Sequence, residues 1–198
     1  MFLSDAEIRE YIQDKRIQIT PPYKSSDLRQ CGLRVHLSNI IYELNETDNV
    51  IDLRNENLNS SAIQDIFYNK INLESFSLGN DSYILSPGES VIGSTVESFI
   101  LPNDMIILLD GRSTLARFGI TIHISAAIVD SLNLKTPKSI TLEVFNLGKH
   151  KFTLYNNMPI AMVLFGLLSS ESTLKPSEHY VGRQVLPNVQ YVREKGIL

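Results

Sequence analysis

Cysteine is nearly absent from this chain: Cys31 is the only one in 198 residues. A lone thiol excludes an internal disulfide and any zinc site built from several cysteines, and its simplest reading is a small, partly buried side chain. Excess basic charge is missing too, since 18 Lys and Arg face 22 Asp and Glu, for a net charge of −4. That balance argues against broad, sequence-independent nucleic-acid binding, which needs an extended basic surface, but it leaves room for a local phosphate pocket. No apolar run is long enough to span a bilayer. Met1 to Ile8 carries acidic residues where a secretory leader would be basic and then apolar, so a cytoplasmic location without membrane contact is expected. Neither an internal repeat nor a composition break divides the sequence. With 43% hydrophobic and 20% charged residues, one core can be buried, and a single domain over residues 1–198 is expected.

What is present reads mainly as strands. Ser4 with Glu7 forms a capping box and Leu3 with Ile8 a hydrophobic staple, which predicts a short N-terminal helix with Ile8, Tyr11 and Ile12 on its core face. Ile17 and Ile19 alternate with polar neighbours up to Pro21-Pro22, a short strand. Ile63, Ile66 and Phe67, behind Ser60 or Ser61, suggest a second helix through Ala62 to Lys70. Strands are then expected at 82–85, 90–92, 98–101, 105–109, 121–125, 139–145, 151–155 and 160–167. Their punctuation is Pro87-Gly88, Pro102-Asn103-Asp104, Asp110-Gly111, Gly148 and Asn156-Asn157. Many short strands with few helices indicate an antiparallel sandwich or barrel-like fold. Residues 171–198 are more polar and lack a period, the pattern of a mobile C-terminal arm.

Residues 110–120, Asp-Gly-Arg-Ser-Thr-Leu-Ala-Arg-Phe-Gly-Ile, concentrate the chemistry. After the Asp110-Gly111 turn signal, a helical turn places Ser113 and Arg117 on one face and turns Leu115 and Phe118 to the core. Arg112 and Arg117 can fork onto phosphate oxygens. A surface loop with scattered arginines fits the same residues. In the strand from Ser139 to Asn146, Ile140, Leu142 and Val144 share one face, while Thr141, Glu143 and Phe145 share the other. Glu143 among strong strand formers is either a solvent-facing residue or a general base at a pocket wall that needs a partner charge.

These segments resemble a known family. Gly111-Arg-Ser-Thr-Leu-Ala-Arg-Phe-Gly-Ile, Ile122-His-Ile-Ser-Ala with Asp130, and Thr141-Leu-Glu-Val-Phe-Asn followed by Gly148-Lys149 look like the core of the dCTP deaminases, relatives of the trimeric dUTPases. Leu3-Ser4-Asp5, Ile17 to Pro21, Gln30 to Asn39, Pro87-Gly88-Glu89, Thr95-Val-Glu-Ser and the tail around His179-Tyr180, Gly182 and Gln184 extend the likeness over most of the chain. The resemblance implies a mainly β fold, a distorted β-barrel or jelly-roll of dUTPase-like type with a short N-terminal helix and one or two further short helices. It implies a homotrimer with sites at the subunit interfaces. By position, Arg112, Ser113 and Thr114 match residues around a triphosphate accompanied by Mg²⁺, with no protein ligand to the metal. Arg117 matches an arginine beside the catalytic glutamate, Ser125 and Ala126 a backbone segment that meets the base, and Asp130 an acid near the deoxyribose. Glu143 matches the general base. Ser113 and Ala126 are also counted with the catalytic set, and Tyr180, Arg183 and Gln184 with a substrate-binding C-terminal lid.

The implied reaction is deamination of dCTP to dUTP and ammonia, without a metal on the attacking water. Zinc deaminases use His and Cys ligands in H-x-E and P-C-x-x-C patterns, and neither surrounds His36, His123, His150 or His179. His123, on the expected strand with Ser125, can approach the site. Four departures stand out. Ser131-Leu-Asn-Leu-Lys-Thr-Pro-Lys replaces a shorter turn of Pro-Gly, an aromatic residue and Gly. Ala127 and Ile128 replace His and Arg, and Arg34 and His36 replace Asp and Arg. In the tail, His179 replaces a lysine, with Arg183 nearby. Besides dCTP deamination, two alternatives follow: a bifunctional deaminase and dUTP diphosphatase or a dUTPase, or a non-catalytic nucleotide-binding regulatory trimer. dTTP is the implied feedback inhibitor.

Overall fold

Ser4 begins the first element as its chemistry demands. Its hydroxyl accepts the Glu7 amide, and the Glu7 carboxylate accepts the Ser4 amide at 2.8 Å. Two orphan donors are thereby satisfied at the start of α1, Asp5–Gln13. Leu3 and Ile8 are both fully buried, so the staple forms, and Tyr11 and Ile12 pack against the same core. The computed structural model describes residues 1–46, 68–73 and 82–174.

Thirteen strands follow among these residues. They are β1 (Gln18–Thr20), β2 (Leu28–Arg29), β3 (Gly32–His36), β4 (Ile40–Leu44), β5 (Tyr68–Asn72), β6 (Ser82–Leu85) and β7 (Ser90–Ile100). After them come β8 (Met105–Gly111), the short helix α2 (Ser113–Ala116), β9 (Ile120–Thr121), β10 (Ile128–Asp130), β11 (Lys138–Asn146), β12 (Phe152–Tyr155) and β13 (Pro159–Leu167). One sheet has the order β5-β4-β7-β11-β9, with β1 also on β7; a second runs β10-β8-β13-β3-β2; β12 and β6 form a two-stranded ribbon. Every pairing is antiparallel. Phe99 on β7 and Phe165 on β13 meet between the two large sheets, ring centroids 6.2 Å apart and both side chains fully buried. The architecture is the expected mainly β jelly-roll with short helices, and its sheets stay open among the described residues rather than closing into a barrel.

Several expectations change. The strands read at 90–92 and 98–101 are one strand, β7, which bulges in its middle. Ser139 pairs with Ser98 and Thr141 with Ser94, so Thr95, Val96 and Glu97 stand opposite Ile140 alone. The buried Thr95 hydroxyl accepts the Ile140 amide at 2.9 Å and so replaces the missing ladder bond. Of the helix expected through 62–70, residues 68–70 belong instead to β5, paired along β4, and 62–67 lie outside the described residues. The strand expected at 121–125 ends at Thr121, and β8 continues through Asp110 and Gly111, where a turn was expected. Cys31 is exposed rather than partly buried. Strands β2, β3, β4, β5 and β10 had no counterpart in the sequence reading. Of the C-terminal arm, 175–198 lie outside the described residues.

Glu7 is held below the ordinary glutamate value by the hydrogen bonds from the Ser4 backbone and hydroxyl. Its contribution is therefore present above the usual pKa of 4.5 and lost as pH falls through the lower folded value. Ser4→Ala should cost about 1 kcal/mol in urea unfolding at pH 7. Any advantage of wild type over Glu7→Gln at neutral pH should shrink progressively on acidification.

Candidate active site

Strand β11 positions Glu143. Its Ile140, Leu142 and Val144 side chains are buried on one face, while Glu143 and Phe145 are half-buried and Thr141 exposed on the other, as the alternation required. The partner β9 pairs with β11 only at Phe145–Thr121 and Asn146–Ile120. One more backbone contact, the Glu143 amide to the Ile122 carbonyl at 3.0 Å, precedes departure of the chain from the ladder. Thr121 then bonds the His123 carbonyl at 2.7 Å, and the Ile124 amide donates to Glu143 Oε2 at 2.9 Å. One carboxylate oxygen is thus fixed by the backbone. The other makes no hydrogen bond among the described residues, an arrangement that suits proton transfer to and from a bound water.

Residues 122–127 cross from the first sheet toward β10 on the second. Ser125 and Ala126 are exposed on this crossing, and the Ala127 carbonyl accepts the Leu109 amide at 2.7 Å. Since the strand stops at Thr121, a shared strand face no longer relates His123 to Ser125. His123 Nδ1 is instead buried without a hydrogen-bond partner. Asp130 ends β10, exposed, and leads into a 3-10 turn, Ser131–Asn133.

The arginine-rich segment is a single helical turn. Arg112 is the N-cap residue of α2, and its guanidinium donates to the Pro159 carbonyl at 2.6 Å, so this charge is anchored on β13. Ser113 and Thr114 are exposed in the first turn, Leu115 is buried, and Arg117 is exposed at the C-cap. Phe118 does not join the core: it is 56% exposed, with its ring tilted 6.4 Å from that of Phe152. Among the described residues no ion pair links Arg117 to Glu143. The partner charge expected from Arg117 is therefore not paired with Glu143 among the described residues. Tyr180, Arg183 and Gln184 lie outside the described residues.

Backbone contacts lock α2 beside β11. Gly119, at φ +83°, and Gly148 meet so closely that a Cβ on Gly148 would fall 2.1 Å from the Phe118 carbonyl oxygen. The Leu147 amide donates to the Gly119 carbonyl at 2.8 Å. Beneath them the buried Asn146 side chain accepts the Gly148 amide and donates to the Leu85 and His150 carbonyls. Asn146 and the Ile124 amide were missed by residue-level reading. An Asn two residues before a Gly was the available signal for the first; a backbone donor leaves no residue-type signal. A cleft of about 690 Å³ lies elsewhere, between 21–27 and the bulged part of β7, and includes none of these residues. Among the described residues no three His, Cys, Asp or Glu side chains converge to hold a metal ion, and no helix is long and apolar enough to cross a membrane.

Comparison with known proteins decides the lineage. The model of the dCTP deaminase-like family matches residues 2–168. The chain belongs to this family. That membership makes it an enzyme of the hydrolase class. Among curated relatives, the dCTP deaminase, dUMP-forming, of Methanosphaera stadtmanae is 28% identical over 97% of this chain and 94% of its own length. The dCTP deaminase of Psychromonas ingrahamii is 34% identical over 86% of this chain and 85% of its own. The crystal structure of 2'-deoxycytidine 5'-triphosphate deaminase from Agrobacterium tumefaciens superposes with a TM-score of 0.59 at 15% identity. It covers 83% of this chain, which spans 46% of that longer one, and shares the fold. In this family member the Gly119–Gly148 contact sets where α2 sits relative to Glu143. Gly148→Ala should destabilise the protein by roughly 1–3 kcal/mol, seen as a lowered thermal midpoint, because backbone on both sides must move.

Proposed function

We propose that this protein deaminates dCTP and then releases diphosphate from the product, so that dUMP leaves. The deamination reading is carried by Glu143, with one oxygen fixed by the Ile124 amide and the other open. That open oxygen takes a proton from water as the water oxygen bonds to C4 of cytosine. The proton is returned to the amino group, the C4–N bond breaks, and ammonia departs. Arg112, held on the Pro159 carbonyl, with the exposed hydroxyls of Ser113 and Thr114, grips the phosphates. The exposed backbone of Ser125 and Ala126 meets the base. Mg²⁺ travels with the triphosphate and, when bound, offsets phosphate charge. The residues fit that role, since Arg112, Ser113 and Thr114 suit phosphate oxygens and make no metal cage.

Arg117 is exposed and unpaired with Glu143 in one chain, and the cleft of about 690 Å³ lies away from both. A homotrimer whose sites join residues of two subunits accounts for these facts, with Tyr180, Arg183 and Gln184 completing the nucleotide contacts. Release of diphosphate is supported by Asp130, exposed where β10 meets the 3-10 turn. Its carboxylate would orient the water that breaks the α–β phosphate linkage. The dUMP-forming relative from Methanosphaera stadtmanae, aligned over nearly the whole chain, favours this reading.

Ammonia and diphosphate are measured separately with Mg²⁺ and dCTP, dCMP, CTP or dUTP. Glu143→Gln should lower ammonia release from dCTP by at least about 10²-fold while diphosphate release from dUTP survives. Asp130→Asn should do the reverse. No ammonia from dCTP with the wild-type protein would overturn the deaminase reading, and ammonia without diphosphate would leave a dUTP-forming enzyme.

A further inference from the structure

The loop from Ser131 to Lys138, where this chain departs from its family's shorter turn, is tied down by its own residues. Ser131 is buried, Leu134 is 1% exposed, and the Leu134 amide bonds the Ser131 carbonyl at 2.9 Å. Both sides of Leu101 are then engaged. Its amide donates to the Leu134 carbonyl at 3.0 Å, and its carbonyl accepts Lys135 Nζ at 2.9 Å.

Leu101 opens the turn between β7 and β8, and that turn also holds the chain that leads out of β13. The Asp104 carbonyl accepts the Leu168 amide at 2.8 Å, and the Asn103 carbonyl accepts the Ser172 amide at 3.1 Å. Arg16 pins the turn from a third side through Asp104 Oδ2 at 2.5 Å. Asp104 Oδ1 is buried without a partner. The Lys135 ammonium is pushed down by burial, while the Asp104 and Glu171 carboxylates favour its charge. One side chain thus contacts the turn that supports both the loop after Asp130 and the root of the C-terminal segment.

We propose that Lys135 is a positioning residue that, through the Leu101–Asp104 turn, couples the placement of Asp130 to the backbone at Leu168 and Ser172. The coupling is structural, and its catalytic consequence rests on the reading of Asp130 as the residue serving diphosphate release. A connection of this length costs closure entropy, which the contacts at Leu134 and Lys135 offset. Tethered at Leu134 and Lys135, it holds the 3-10 turn that presents Asp130. Because the same turn carries Leu168 and Ser172, loosening it loosens both segments together.

Hydrogen exchange on the full-length protein tests the coupling, with Lys135→Met and Lys135→Arg beside wild type. In Lys135→Met, exchange should rise by about tenfold in peptides covering both 131–138 and 168–174, as expected for loss of one charged hydrogen bond, while α1 and β11 stay unchanged. Lys135→Arg should restore protection. Diphosphate release from dUTP should fall by about tenfold in Lys135→Met while ammonia release from dCTP stays within about twofold, which a general loss of structure would not produce. An exchange rise confined to 131–138, or absent, overturns the coupling. Coupled exchange in a wild-type protein that releases no diphosphate leaves the coupling standing and removes the assigned role of Asp130. Equal loss of both products in Lys135→Met overturns its positioning role.

Discussion

The bulge in β7 is the constraint on which the rest of the structure depends. Three residues, Thr95, Val96 and Glu97, face Ile140 alone, and the Thr95 hydroxyl takes the amide that the ladder leaves unpaired. Within the bulge Glu97 turns to the other large sheet. Its carboxylate accepts the His36 backbone amide at 2.9 Å and lies 2.6 Å from His36 Nδ1, with Asp27 and Arg34 alongside. A carboxylate this deeply buried is tolerated only when paired. The pairing therefore fixes how the two sheets sit on each other. The bulge also sets the register in which Leu142 meets Gly93 and Glu143 meets Ile92. A one-residue slip would send Glu143 inward and Leu142 and Val144 out.

The candidate site is assembled from backbone as much as from side chains. Glu143 owes its fixed oxygen to an amide released when the chain leaves β9, and Arg112 is steadied by a carbonyl at the start of β13. The Gly119–Gly148 contact and the buried Asn146 bring α2 against the end of β11. In one chain Ser113, Thr114, Arg117, Ser125 and Asp130 are all exposed, and Glu143 is half-buried. Exposed Phe118, Ile124 and Ile128 lie among them in sequence, and exposed Leu147 follows Glu143. Uncovered apolar side chains near exposed arginine and hydroxyl groups in the sequence mark a surface suited to contact with another chain.

Elements governed by neighbouring residues were legible. The Ser4–Glu7 box, the Leu3–Ile8 staple and the two faces of β11 follow from spacings of three, five and two, and each formed. Elements that depend on distant partners were not. Strand β7 looked like two strands because its middle is polar; its buried Ser94, Thr95 and Glu97 are satisfied by residues far away in sequence. Residues 68–70 looked helical with the segment before them, yet pairing along β4 made them strand. Phe118 looked like a core residue, but the short turn of α2 leaves it outside.

The sequence by itself determined the chemistry available here: a cluster of arginine and hydroxyl groups, one glutamate set among strand formers, an acid at Asp130, and too few cysteines for a thiolate zinc site. Those follow from residue type and short spacing. Only the tertiary structure decided which oxygen of Glu143 is held and which is open, because the donor is a backbone amide nineteen positions away. It also decided that the loop after Asp130 is anchored, since Lys135 finds its acceptor thirty-four residues back, on a turn that no local pattern relates to it.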